Sequence, residues 1–139
     1  MNVKFYRDVD GAASGFDMGD IEFAFDNIVF STRGNPRLKA MIYLSIIELL
    51  DGLLRFKGAG RYEFVAVDSS FRILFSRKRN KVLIVHGRDS ILVSMEELWQ
   101  AVRNGVISFS STKDNRIPEQ DSVYMDFKES FDKFMNSTI

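Results

Sequence analysis

The sequence predicts an α+β domain over residues 1–139, a mostly antiparallel curved sheet wrapped on a central helix, with two further helices in the C-terminal half. Three observations lead there. Between Pro36 and Phe56 apolar residues fill an arc of roughly 200° on a helical wheel, against the ~100° of an ordinary surface helix, so this helix is buried on more than one side. Several short segments alternate with period two and are divided by turn residues. Two later stretches carry helical start signals and helical spacing.

The elements follow in order. Val3 to Tyr6 reads as a short strand, and the Gly- and Asp-rich stretch Asp8 to Asp20 as a loop. Ile21, Phe23 and Phe25 alternate with Glu22 and Ala24 as a half-buried strand, continuing past Asp26-Asn27 through a bulge or turn into Ile28-Val29-Phe30. Asn35-Pro36 has the form of a cap and first turn, so the central helix is expected from there to about Phe56, stopped at Gly58. Its polar stripe holds Arg37, Glu48, Asp51 and Arg55.

Tyr62 to Val67, Phe71 to Ser76 and Val82 to Val85 read as three strands, the last two joined by a hairpin turn at Lys78-Arg79-Asn80. A further turn at Gly87-Arg88-Asp89-Ser90 leads into Ile91-Leu92-Val93. Ser94 and Glu97 form a capping box, predicting a helix from Met95 to near Arg103 with Gly105 beyond its end. Val106 to Phe109 reads as one more strand and Ser110 to Arg116 as a polar loop. Pro118 is expected to open the last helix, where Val123, Tyr124, Phe127, Phe131 and Phe134 recur at helical spacing.

Composition narrows the function classes. With 45% hydrophobic and 27% charged residues, wholesale disorder is excluded. The absence of cysteine excludes a disulfide scaffold and a thiolate metal cluster, and fits a reducing compartment, the cytoplasm. No secretory signal follows Met1, and the most apolar run, Met41 to Leu50, is short and interrupted by Glu48, so no membrane association is expected. The formal net charge of zero argues against nucleic-acid coating. The charges are sorted, however. Residues 1–30 hold Asp8, Asp10, Asp17, Asp20, Glu22 and Asp26 against Lys4 and Arg7, whereas residues 61–93 hold seven bases against Glu63, Asp68 and Asp89. Sorted charge suits steering of one specific partner.

Catalytic signals are weak. His86 is the only histidine and stands without a second imidazole or thiol, so no zinc set and no catalytic role are expected. Asp8-Val9-Asp10-Gly11 brings its glycine too early for a calcium loop and lacks the closing glutamate. Asp68-Ser69-Ser70 lacks a nucleophile elbow and reads as a turn. No cofactor and no metal are expected. Arg77, Lys78, Arg79 and Lys81 are the densest basic cluster, placed to meet an acidic protein or phosphates, or to protect a strand edge.

The layout around Tyr62-Glu63-Phe64-Val65-Ala66-Val67-Asp68-Ser69-Ser70-Phe71, with the Met41 to Leu54 helix before it, resembles small immunity proteins of bacterial contact-dependent inhibition and polymorphic toxin systems. The likeness is of size, layout and sorted charge, covers the middle half of the chain and transfers no site residue. It implies a cytosolic protein that binds a cognate toxin domain and blocks its active site or substrate path. Two alternatives remain: a small enzyme using carboxylates and His86, and a nucleic-acid module using the Arg77 to Lys81 hairpin. A pocket around His86 with acids would favour the first, a continuous positive face the second, and opposite patches without a pocket a protein partner. Because nuclease toxins have basic clefts, an inhibitor's binding face is expected at Asp8, Asp10, Asp17, Asp20 and the acids of the last helix, ahead of Arg77, Lys78, Arg79 and Lys81.

Overall fold

A computed structural model describes residues 1–139 and shows an α+β architecture in which the strands divide into two four-stranded antiparallel sheets. In the first sheet, β1 (Asn2–Arg7) pairs along all of β2 (Met18–Ala24), and β3 (Val29–Ser31) and β4 (Ala40–Met41) pair with the two ends of β2. The register sets Val3 opposite Phe23 and Phe5 opposite Ile21, which puts four buried apolar side chains on one face. β2 thus begins at Met18, inside the stretch expected to be loop. Its continuation is a hairpin: the Phe25 N–H donates to the Ile28 carbonyl at 2.8 Å, reversing the chain at Asp26-Asn27.

Asn35 does cap, accepting from the Arg37 N–H at 3.1 Å, but it opens only a 3₁₀ turn, Pro36–Leu38. Lys39 is extended, β4 joins the sheet, and the helix α1 (Ile42–Phe56) starts without a side-chain cap. Tertiary partners replace the local signal: the Met41 N–H donates to the Val67 carbonyl and the Ile42 N–H to the Asp17 carbonyl. Arg37 therefore lies outside the helix. α1 is central as expected, with Ile42, Ile46, Leu49, Leu50, Leu53 and Phe56 buried. It packs on the first sheet, on β5 and on the last helix. Gly52 explains the close approach to β5, since a Cβ there would fall 1.9 Å from the ring of Tyr62, whose hydroxyl donates to the Glu48 carbonyl.

The second sheet is a meander of β5 (Arg61–Val65), β6 (Arg72–Lys78), β7 (Lys81–His86) and β8 (Asp89–Ser94). Phe75 of β6 meets Phe23 of the first sheet, Phe56 of α1 and Tyr62 of β5 at centroid separations of 6.3, 6.2 and 5.9 Å. A continuous cluster of 32 buried apolar residues includes members of both sheets and all the α-helices.

Ser94 caps the next helix as expected, accepting from the Glu97 N–H at 3.0 Å. That helix, α2 (Met95–Ser111), runs through Gly105 and absorbs the stretch 106–109 expected to be a strand. Gly105 serves packing here and not termination: a Cβ would stand 2.4 Å from the Val3 carbonyl oxygen, so the glycine lets α2 lie directly on β1. Pro118 opens a turn closed by the Asp121 side chain on the Val123 N–H, and α3 (Tyr124–Met135) begins only after it. α3 docks through Phe134, which stacks on Trp99 of α2 at 5.0 Å, while the Trp99 indole N–H donates to Ser137 Oγ.

Candidate functional site

Of the four acids expected at a binding face, Asp8, Asp10, Asp17 and Asp20, three are spent on ion pairs within the molecule. Asp17 pairs with Arg7 at 3.0 Å, and the Arg7 side chain is only 4% exposed. The same carboxylate accepts from the Ser14 N–H at 2.9 Å. Asp20 is buried on β2, accepts from Thr32 Oγ1 at 2.7 Å and pairs with Lys39 at 2.9 Å. Lys39 also reaches Asp8 at 2.7 Å, and its hydrogen bonds to Asp8 and then Asp20 hold its ammonium above the usual lysine range. Of the four, Asp10 alone is both exposed and unpaired. The N-terminal loop and the C-terminal segment do meet, because Asp121 accepts from the Gly15 N–H at 3.0 Å. The carboxylate at that junction is again committed to the backbone.

The basic hairpin is organised differently. Arg77 is a strut, donating through Nε to the Arg79 carbonyl and through Nη1 to the Lys57 carbonyl. Lys78, Arg79 and Lys81 are exposed and take part in no ion pair. Two local costs are borne at this tip. Lys78 and Lys81 are directly opposed across the strands, a destabilising like-charge pair. Arg79 has φ +63° in the tight turn, a conformation that suits glycine and costs a side-chain-bearing residue roughly 1–2 kcal/mol.

These cations border a surface that the period-two reading leaves unremarked. In the second sheet Ile73, Phe75, Val82, Ile84 and Val93 point into the core. The opposite face carries Leu74, Leu83, Val85 and Leu92, none of which belongs to the core cluster. The register makes them neighbours: Leu74 is opposite Val85, and Leu83 is opposite Leu92, which is 50% exposed. Around this aliphatic centre, on the same face by alternation, stand Arg61, Arg72, Lys78 and Lys81 with one acid, Glu63, which pairs with Arg72 at 3.5 Å. The signal in the sequence is the near-continuous apolar character of Val82 to Val85 and Ile91 to Val93, which leaves a strand apolar on both faces.

The other candidates resolve as local structure. His86 is half-buried between the rings of Phe30 and Phe71, at centroid distances of 5.3 and 5.0 Å, with Nδ1 3.0 Å from the Arg72 carbonyl. Ser69 Oγ donates to the Leu38 carbonyl and accepts from the Phe71 N–H, and Asp68 takes φ +59°, so Asp68-Ser69-Ser70 is a turn. The largest concavity, about 920 Å³, lies beside α3 and does not include His86. No three His, Asp or Glu side chains gather as a metal-ligand set, and no helix is long and apolar enough to cross a membrane. No family model, curated protein or solved structure matches this chain.

Proposed function

We propose that this chain is a binding protein that seats an acidic protein surface on the open face of its second sheet. The supporting observation is the aliphatic centre of Leu74, Leu83, Val85 and Leu92, bordered by Arg61, Lys78 and Lys81, which form no ion pair, and by Arg72, which pairs with Glu63. An apolar centre supplies burial and a charged rim supplies steering, the usual division of labour at a protein interface. The like-charge opposition of Lys78 and Lys81 at the hairpin tip, which an acidic partner would relieve, supports the same surface. Following the resemblance to immunity proteins, the partner is a cognate toxin domain met in the cytoplasm, held by occlusion. The recognition chemistry differs from the expected charge mimicry, since Asp17 and Asp20 are neutralised internally and the unpaired charges beside the sheet face, Arg61, Lys78 and Lys81, are basic. A nucleic acid fits less well, because the face carries no aromatic ring on which a base could stack.

The test is titration of wild type, Leu83→Glu and Asp10→Lys against candidate toxin domains taken from genes neighbouring the one for this chain. Leu83 faces solvent, so Leu83→Glu should stay folded while losing roughly tenfold or more in affinity, the effect of a charge in an interface centre. Asp10→Lys should bind as wild type does. Unchanged binding by Leu83→Glu removes the sheet face from the proposal. Oligonucleotide binding that depends on Lys78 and Lys81 but ignores Leu83→Glu gives the face to nucleic acid.

A further inference from the structure

The groove beside α3 is built from three walls: the helix itself, the Lys113 to Glu119 segment, and Gly11 to Ala13. Its volume of about 920 Å³ lies in the range of sites for small organic ligands, roughly 300–1,000 Å³. The walls are bolted in place. Arg7 donates to the Gly11 carbonyl at 2.7 Å and, through Nε, to Asn115 Oδ1 at 3.4 Å. The Tyr43 hydroxyl donates to the Asn115 carbonyl at 2.6 Å, and Asn115 Nδ2 donates to the Phe109 carbonyl at 3.1 Å. The Arg7–Asp17 pair thus holds two walls at once, and a site held open this way loses little entropy on filling.

The lining states the chemistry. Four rings bound the space: Tyr43, Tyr124, Phe127 and Phe131. Tyr43 and Phe127 already meet edge to face at 5.5 Å. Tyr124 and Phe131 are half-buried and pair with no other ring. Charge is balanced. Lys128 is held by Asp132 at 3.1 Å, which leaves Lys113 and Arg116 against Asp114 and Glu119. A net charge on the occupant therefore gains little, and π-faces are what the site offers.

We propose that this groove binds a neutral, flat aromatic small molecule of two or three rings against Tyr124 and Phe131. The site is separate from the sheet face and stands without it.

The probe is neutral N-phenyl-1-naphthylamine, which fluoresces in apolar sites, compared with anionic 1-anilinonaphthalene-8-sulfonate. The wild-type chain should give saturable one-to-one enhancement, with the neutral probe bound at least as tightly as the anion. Ala12 is an exposed wall residue, so Ala12→Trp should fill the groove, weaken the neutral probe roughly tenfold and leave the unfolding midpoint unchanged. Phe131→Ala should weaken it too, and Leu83→Glu should not. Non-saturable enhancement, or binding indifferent to both Ala12→Trp and Phe131→Ala, overturns the site. Tenfold preference for the anion overturns the neutral class. Loss in Leu83→Glu assigns the signal to the sheet face and overturns the groove.

Discussion

Asp10 and Asp17 share one acidic loop and differ in fate, which shows how little a carboxylate's position in sequence says about its use. Asp17 neutralises a guanidinium that is 4% exposed. Asp17→Ala strands that charge, and breaking one side of such a pair costs about 3 kcal/mol or more. Asp10→Ala, at an exposed and unpaired site, should change stability by less than about 0.5 kcal/mol. Urea denaturation of the two variants checks the contrast. Tyr43 gives a second residue-scale prediction. Burial pushes its phenol from 10.0 up to about 12. A raised folded value means that the stabilisation is complete below pH 10 and is lost as pH climbs to 12, because the unfolded chain ionises first. Lys39, also raised above its ordinary 10.5, acts in the same direction at higher pH. Tyr43→Phe should therefore flatten the alkaline decline in unfolding midpoint without abolishing it. A decline as steep as wild type would show that the phenol is not its source.

Elements were legible where the local signal and the tertiary demand agree. The Ser94 cap, the body of α1 and the β5 to β8 meander all stand where periodicity and turn residues put them. The start signals at Asn35 and Pro118 are present but close only a short turn, and at the start of α1 the carbonyls of Val67 and Asp17 take the place of a cap. The glycine read as a stop, Gly105, is used for packing on β1 instead. Gly105 makes this measurable. In an isolated helix, glycine to alanine gains about 1 kcal/mol. Here the added methyl meets the Val3 carbonyl at 2.4 Å, so Gly105→Ala should destabilise by about 1–3 kcal/mol. A gain in thermal midpoint would mean that α2 can lift from β1 at no cost. The open sheet face is not legible from periodicity alone. Alternation identifies which side of a strand is buried, but an aliphatic outer side is visible only once register aligns Leu74, Val85, Leu83 and Leu92.

Across the whole molecule a formal net charge of zero conceals unequal use of the two signs. Asp8, Asp17 and Asp20 are consumed in holding the first sheet and its loop, while Lys78, Arg79 and Lys81 stay free beside the apolar face. The exterior field near that face is therefore positive despite the neutral sum. Association with an acidic partner should slow about tenfold or more between about 0.05 M and 0.5 M salt, as screening shortens the reach of the cations. Replacing Lys78 and Lys81 with glutamine should flatten that slope while changing dissociation little. Stopped-flow measurement at both salts decides it, and an unchanged slope would place the steering charges elsewhere.

The stack of Trp99 on Phe134 has a spectroscopic consequence. This is the chain's single tryptophan, and it sits at the seam between α2 and the docked C-terminal helix. Its emission gauges whether that helix is seated. A molecule that sheds α3 before the sheets melt would redden in emission ahead of its loss of ellipticity, and one that melts as a unit would keep both traces superimposed. A ligand that unseats α3 without melting the sheets would redden the indole in the same way.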